Sequence, residues 1–290
     1  MKIAYWKFVA LAVVLDILTY VFQGLRWHIL LLPVGDLSAR RATQGVYAGL
    51  FVNELAPLRL GEVVRAILVS HWLSVSFATV LPSIVVERFL DALWLVVGLG
   101  LAMLFAPLPR SLVGAGEVLG VTVLVAAALF LWISLGNRQQ YLHNEQYSRS
   151  LRFRKIFGYC SRFSRGVRDI GFSGELFQAA LLSIAMLVLQ VVVLWFMMRA
   201  CRIHLPLITA SVVFLILRLG TMIPNAPANV GTFQLFTVIA LTSFGVEKTS
   251  ATAFSIVYFA ALTVPLWALG VLAIALSDLD LRETLRHGKT

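Results

Sequence analysis

Long apolar windows separated by short polar segments dominate this chain. Several windows hold enough apolar residues to cross a bilayer core of about 30 Å, which takes roughly 20 residues of helix. The first window is too long for the core of a signal peptide and has no small-residue cleavage site, so it is predicted to be a mature helix. We predict five membrane-spanning helices, at residues 3–32, 77–106, 117–135, 175–198 and 249–276.

Two stretches interrupt this pattern with helix-breaking residues. In "NELAPLRLGEVVRA", Pro57 removes a backbone donor and ends one short helix, and Gly61 supplies the backbone freedom to begin another. In "IPNAPANVGTFQ", Pro227 and Gly231 repeat that spacing. The short helices on either side do not span comfortably, so each break predicts a re-entrant hairpin. Non-helical backbone at membrane depth needs protein or water around it, so both tips are predicted to line a cavity.

Each break stands between two predicted spans, so the order span, hairpin, span occurs twice. Residues 1–106 form the first predicted repeat, residues 107–172 an extra helix and a basic loop, and residues 173–290 the second repeat and tail. Because of the membrane crossings between the two units, the second repeat begins on the opposite side of the membrane from the first. The two repeats are therefore predicted to be inverted. Gly/Pro-interrupted segments at matching positions in two halves point to a transport site near the midplane.

Composition supports an all-α integral membrane protein with one transmembrane domain over residues 1–290. The chain is 60% hydrophobic and 13% charged, with a mean hydropathy of +0.88, whereas soluble domains are about 25% charged. Basic residues concentrate in residues 137–172, which the positive-inside rule places in the cytoplasm. Counting crossings puts the N-terminus outside and the C-terminus in the cytoplasm of a bacterial inner membrane. The net charge of +10 thus predicts topology and no nucleic-acid partner.

Charged residues inside the predicted span 77–106 are the first candidates for chemistry. Intramembrane charges cost about 2.5 to 3.5 kcal/mol each on insertion scales, so they normally face a cavity or one another. In one hypothesis, ion pairs clamp the first hairpin against this span. In a second, compatible hypothesis, the arginines bind the phosphate of a headgroup while the acids orient them or carry a coupling proton. The residues concerned are Arg59, Glu62, Arg65, Glu87, Arg88 and Asp91.

Helix N-termini at the hairpin tips carry unpaired backbone N–H groups, which attract anions. Neutral side chains near the breaks would add donors and acceptors along the cavity, or would serve as helix caps and turns. Both alternatives stay open for Asn53, Asn225, Asn229, Thr232 and Gln234. Other polar residues within apolar runs are predicted to be helix-packing contacts, namely Asp16, Gln23, Gln190 and Arg218.

Apolar residues, including Val167 and Ile170, recur at helical spacing at the end of the basic loop, with basic residues between them. The pattern predicts a basic amphipathic helix on the inner leaflet, where anionic lipid attracts each charge by about 1 kcal/mol. The helix would gather anionic lipid or anchor the topology. Its membrane-surface residues are Arg152, Lys155, Arg162, Arg165 and Arg168.

Enzyme and cofactor motifs are missing from the sequence. It has no Gly-x4-Gly-Lys-Ser/Thr loop for a nucleotide and no His-Glu-x-x-His pattern for zinc. Ser173 lies in "GFSG", which is similar to the serine segment of rhomboid proteases, but the later histidines, His204 and His287, lie in a loop and a tail. Ser173 is therefore predicted to cap the helix that begins at Glu175. We predict a non-enzyme without a metal or a cofactor.

These motifs resemble the flippase-like transmembrane region of the bacterial lysyl-phosphatidylglycerol synthases and their stand-alone relatives. The resemblance covers nearly the whole chain and rests on "NELAPLRLGEVVRA", "VVERFLDALWLV", "IPNAPANVGTFQ" and "FGVEKTSATAFSIVY". In the second break the family typically reads Pro-Gly-Gly-x-Gly with a later glutamate, where this chain has Ala228, Asn229 and Gln234. The resemblance implies lipid translocation without lipid synthesis, and one more helix ahead of residues 3–32 than this sequence contains.

Together these observations predict a flippase or transporter for a lipid with an anionic, phosphate-containing headgroup. The headgroup would cross between the hairpin tips while the acyl chains stay in the bilayer. A small-solute or ion transporter would use the same architecture, and a non-transporting partner of a lipid-modifying enzyme is a third alternative. Membrane lipid is the predicted partner, while a lipid-modifying enzyme and a second copy of the chain stay open.

Overall fold

The computed structural model describes residues 5–56, 60–105, 110–135, 166–171, 173–222 and 227–277. All of the named elements in these ranges are helical, as predicted. In chain order the helices are α1 (Trp6–Leu31), α2 (Ala39–Leu55), α3 (Gly61–Trp72), α4 (Phe77–Phe105), α5 (Arg110–Leu135), α6 (Gly174–Ala200), α7 (Leu207–Gly220), α8 (Thr232–Ser243) and α9 (Lys248–Ala275), with a 3-10 turn at Pro227–Asn229 before α8.

Within the described residues, three helices are long and apolar enough to cross a membrane: α1, α6 and α9. α4 is as long, with 29 residues, but it carries Glu87, Arg88 and Asp91. In α5 the apolar stretch among the described side chains covers Gly116–Trp132. The all-helical membrane class is therefore confirmed, while five crossings stay a prediction.

Both predicted breaks separate two short helices. α2 ends at Leu55, just ahead of Pro57, and α3 begins at Gly61. In the second half, α7 ends at Gly220 and α8 begins at Thr232. The predicted residues Pro57, Arg59 and Asn225 lie outside the described part of the chain.

Gly61 has a different role from the predicted one. Among the described glycines, positive φ angles occur at Gly171, Gly231 and Gly245, and Gly61 is not one of them. It begins α3 where this helix touches α2, and a Cβ at this position would overlap the carbonyl oxygen of Gly49. The Gly61 N–H also donates to Asn53 Oδ1 at 2.7 Å. Gly61 therefore permits close helix contact, whereas Gly231, with φ 85°, supplies the predicted backbone freedom.

Gly61→Ala is expected to destabilise the pair α2–α3, because the added methyl group pushes the two backbones apart. Overpacking of this kind costs about 1 to 3 kcal/mol, so the thermal unfolding temperature of the purified protein should fall. Gly100→Ala is the matched control, since nothing lies within 4 Å of the position that its Cβ would take. Equal unfolding temperatures for the two variants would contradict the close contact.

The helices of the two halves pack in the same pattern. α1 packs most extensively against α6, its counterpart in the second half. Within the halves, α1 contacts α2 as α6 contacts α7, and α3 contacts α4 as α8 contacts α9. Between the halves, α2 contacts α9 as α7 contacts α4. Exchanging α1–α4 with α6–α9 leaves this pattern unchanged, and the 3-10 turn of the second break additionally contacts α2.

The two largest apolar clusters among the described residues stabilise this arrangement. The pair α2–α3 packs on α1 and α4 through a cluster that includes Trp27, Val46 and Val69. A larger cluster joins α6 to the later helices, and its fully buried members include Met197 and Phe254. Each pair of short helices is therefore held by the long helices beside it.

The last turn of the predicted basic loop helix lies against the protein. Residues 166–170 are helical, and Val167 and Ile170 are buried. Ile170 clusters with Leu30 of α1 and Val86 of α4. These two buried side chains thus face protein instead of the lipid surface that the amphipathic pattern predicts, and the apolar neighbours of Ile170 come from α1, α4 and α6. Arg168 lies in this turn, and the other predicted surface residues, Arg152, Lys155, Arg162 and Arg165, lie outside the described residues.

Candidate functional site

A cavity of about 410 Å³ lies among the helices of both halves. α1 to α4 contribute to its wall, and so do α6 to α9 and the 3-10 turn of the second break. The volume falls in the range of about 300 to 1,000 Å³ that is typical of small-molecule sites. Its polar and charged lining includes Asp16, Tyr20, Gln23, Asn53, Glu54, Glu62, Arg88, Asp91, Ser183, Gln190, Arg218, Thr221, Asn229, Tyr258 and Thr263.

Buried ion pairs around Glu87 lie beside this cavity. Glu87 is fully buried and accepts a hydrogen bond from Arg65 Nη2 at 2.7 Å. Arg26 Nη2 lies 3.1 Å from Glu87 Oε1, and Arg26 Nη1 donates to Asp91. The same nitrogen donates to Ser183 Oγ at 2.8 Å. These contacts join α1, α3, α4 and α6 at one point.

Arg88 completes the network from the cavity side. Its Nε lies 3.1 Å from Glu62 and its Nη1 3.1 Å from Asp91, while its Nη2 lies 3.4 Å from Glu87. The side chain is 38% exposed, so Arg88 reaches the cavity while it stays paired. Three arginines and three carboxylates thus meet in this network, and their formal charges balance.

Arg65 and Glu87 themselves are absent from the cavity lining. The Arg65 side chain is 3% exposed, and its guanidinium lies 4.4 Å from the centroid of the Trp27 ring. Both side chains hold α3 against α1 and α4, which is the geometry of the clamp hypothesis. Of the two described arginines that were predicted to meet phosphate, Arg88 reaches the cavity and Arg65 does not.

Arg218 of α7 has different surroundings from Arg88. It donates to Gln190 Oε1 at 2.7 Å, and its guanidinium lies 5.4 Å from the centroid of the Phe214 ring. Within the described part of the chain it forms no contact ion pair with a carboxylate. Arg218 therefore presents a cationic group to the cavity, where an entering anion would find it.

Two further carboxylates line the cavity outside the ion-pair network. Asp16 is 6% exposed, and its Oδ2 has no hydrogen-bond partner among the described residues. Glu54 Oε2 also lacks one there. A buried carboxylate oxygen without a partner is costly, and such groups are more common at functional positions than in ordinary packing.

The second break brings backbone into the cavity wall. Ala228 and Asn229 line the cavity, and both have positive φ angles, 53° and 51°. The N–H of Gly231 donates to Gln234 Oε1 at 2.7 Å, so the Gln234 side chain caps the N-terminus of α8. Gln234 and Thr232 are not among the lining residues, whereas Asn53 both lines the cavity and accepts from Gly61. Capping thus accounts for Gln234, and Asn53 and Asn229 reach the cavity.

Several cavity residues were missed by sequence reasoning. Asp16, Gln23, Gln190 and Arg218 were predicted to be packing contacts, and the structure places all four in the cavity lining. Their ionisable or amide groups inside apolar runs were the available signal, because such groups normally face a cavity. Arg26 was not singled out, since it lies near the end of a predicted span where basic residues are common.

The start of α6 has the cap that the sequence predicts. Ser173 caps α6 by accepting a hydrogen bond from the Leu176 N–H at 3.3 Å. The described residues contain no group of three or more His, Cys, Asp or Glu side chains arranged to hold a metal ion. Cys201 is a buried free thiol.

Comparisons with known proteins found a matching family model and a similar protein. The family model described as the lysylphosphatidylglycerol synthase TM region matches residues 1–270. A UPF0104 membrane protein from Pyrococcus horikoshii is 26% identical over 163 residues, which make up 54% of this chain and 48% of that protein. The match thus spans about half the length of this relative, and no solved structure matches the chain. Since the family match includes both breaks and the whole cavity lining, the chain belongs to the lysylphosphatidylglycerol synthase transmembrane-region family.

Proposed function

We propose that this protein moves a lipid with an anionic, phosphate-containing headgroup between the leaflets of a bacterial inner membrane. The observation that carries the proposal is Arg218, a cavity-lining cation whose hydrogen-bond partner, Gln190, is neutral. A guanidinium pairs with phosphate through two parallel hydrogen bonds, which makes arginine well suited to this ligand. The headgroup occupies the cavity while the acyl chains remain in the bilayer.

Neutral groups in the same cavity would complete the headgroup site. Gln190, Asn229 and Tyr258 line it together with Arg218 and offer amide and hydroxyl groups to the ester and hydroxyl oxygens of a headgroup. Arg88 also lines the cavity, but three carboxylates share its charge. Arg88 therefore orients the headgroup, and Arg218 supplies the net attraction.

In this proposal the path runs between two re-entrant hairpins that enter from opposite leaflets. The matching contacts of α1–α4 and α6–α9 support a structural repeat. The inverted orientation rests on the positive-inside topology, with the N-terminus outside and the C-terminus in the cytoplasm. Inverted-repeat transporters bind their substrates where the repeats meet, and the cavity takes its lining from both halves. The basic residues of the loop at 152–168 would concentrate anionic lipid at the inner leaflet.

Proteoliposomes test the proposal. The full chain is reconstituted with acyl-labelled phosphatidylglycerol, and dithionite quenching measures how fast inner-leaflet label becomes accessible. We expect exchange that is faster than in protein-free liposomes, and no acceleration for acyl-labelled glucosylceramide, whose headgroup is uncharged. Equal acceleration of both lipids would contradict selection by charge, and no acceleration of either would contradict transport.

The unpaired carboxylates favour one second candidate, a small-cation transporter. Asp16 and Glu54 each present an oxygen without a described hydrogen-bond partner, and both line the cavity. Carboxylate oxygens are suitable ligands for small cations. Sodium or proton flux into proteoliposomes prepared from zwitterionic lipid alone would support this candidate over lipid transport.

A further inference from the structure

Asp16 stands out among the cavity carboxylates. It lies in the middle of α1, is 6% exposed, and its Oδ2 has no hydrogen-bond partner among the described residues. It is absent from the ion-pair network, in which Glu62, Glu87 and Asp91 all have arginine partners. Its carboxylate therefore borders the cavity without a contact counter-ion.

Arg218 of α7 lines the same cavity as Asp16 and acts on it through space, without a contact ion pair. Three tyrosine hydroxyl groups are titratable neighbours of Asp16: Tyr20 on α1 itself, Tyr47 on α2 and Tyr258 on α9. Glu54 of α2 adds a second negative group on the same side, and the lining residues from α6 do not ionise. On α4, Arg88 and Asp91 line the cavity but bind each other at 3.1 Å. Arg218 is thus the described cation that compensates Asp16.

An anion on Arg218 changes this balance. A phosphate oxygen in contact with the guanidinium neutralises the positive charge that otherwise compensates Asp16. The ionised Asp16 would then be an uncompensated negative charge beside a second one in a low-dielectric site, where such repulsion is large. A carboxylate in that position gains a proton because the neutral form removes the repulsion.

We propose that Asp16 is the proton-binding site of the transporter and takes up a proton when a headgroup phosphate binds Arg218. This inference rests on the proposed function. The proton comes from the aqueous solution on the loading side and binds Oδ2, and it returns to solution when the headgroup departs. Lipid and proton therefore move together, and a membrane that is more acidic on the loading side drives transport.

Calorimetry tests the coupling. Short-chain dihexanoyl phosphatidylglycerol is titrated into the purified full chain at one pH in buffers of different ionisation enthalpy, and the slope of the binding enthalpy gives the protons taken up. Wild type is expected to take up as much as one proton per lipid, because each ionised Asp16 gains one proton when the lipid binds. Asp16→Asn is expected to bind the lipid without proton uptake, and Asp36→Asn, at an exposed loop position, should behave as wild type.

The outcomes separate the two proposals. Lipid binding by wild type without proton uptake, or equal uptake in Asp16→Asn, overturns the role of Asp16 and leaves lipid transport standing. Failure of wild type to bind the lipid overturns both. Sodium in the buffer is also replaced with N-methylglucamine. If this replacement abolishes lipid binding and no proton is taken up, Asp16 is assigned to a metal cation and the proton site is overturned. Lipid binding by wild type without proton uptake overturns the proton site even if Asp16→Asn does not fold.

Discussion

Replacing Arg218 with glutamine is expected to slow phosphatidylglycerol exchange by about 10- to 100-fold. Charge-assisted hydrogen bonds contribute about 1.5 to 3 kcal/mol, and each 1.4 kcal/mol corresponds to a factor of ten. Glutamine keeps a polar side chain at the position but removes the charge. Arg218→Lys should fall between the two, because it keeps the charge and loses the planar fork of donors. The rates are measured by dithionite quenching in proteoliposomes.

Arg199→Gln is the matched control for this experiment. Arg199 contacts His204 Nδ1 at 3.1 Å and lies 4.9 Å from the centroid of the Trp195 ring, and it does not line the cavity. The variant should exchange lipid at the wild-type rate. A wild-type rate for Arg218→Gln, or equal slowing of both variants, would contradict the assignment of the phosphate to Arg218.

Glu87→Gln is expected to lower the free energy of unfolding by about 3 to 5 kcal/mol, since loss of one member of a buried ion pair strands the other charge. Here three arginines lose a partner, and two of them, Arg26 and Arg65, are buried. Arg26 retains Asp91, which limits the loss. Urea or SDS unfolding of the purified protein, followed by circular dichroism, measures the change.

Glu62→Gln is the companion variant. The Glu62 side chain is 23% exposed, and its ion pair is with Arg88, which is 38% exposed and has two other carboxylates near it. Pairs of this exposure contribute about 0 to 1 kcal/mol, so the free energy of unfolding should change little. A loss as large as that of Glu87→Gln would show that the network is stabilised at the cavity side instead of at its buried centre.

The fold could be predicted from local chemistry to a large extent. Proline lacks a backbone donor, so the positions of Pro57 and Pro227 were enough to predict where the short helices are interrupted. Continuous apolar windows likewise predicted the long helices to within a few residues, except that α5 begins at Arg110 instead of residue 117. The role of Gly61 could not be predicted, because it depends on the approach of Gly49 from another helix.

The candidate site was less predictable because its partners are distant in sequence. Arg26 reaches Asp91, 65 residues away, and Ser183, 157 residues away, and no local pattern joins these positions. Spacing predicted that Glu87, Arg88 and Asp91 would meet the first hairpin. It could not predict that Arg88 keeps three carboxylates while Arg218 has a neutral partner, since that difference arises from the packing of α6 on α7.

The described ion pairs all lie among α1, α3 and α4, and none involves α7 or α8. A transporter that opens alternately to two sides must let one part slide while another stays still. Apolar surfaces can slide past each other without exposing charge. Separating Arg65 from Glu87, in contrast, would leave two unpaired charges in a low-dielectric environment. In the proposed transport cycle we therefore expect the first pair of short helices to stay fixed and the second pair to move, so that two halves with one packing pattern have different mechanical duties.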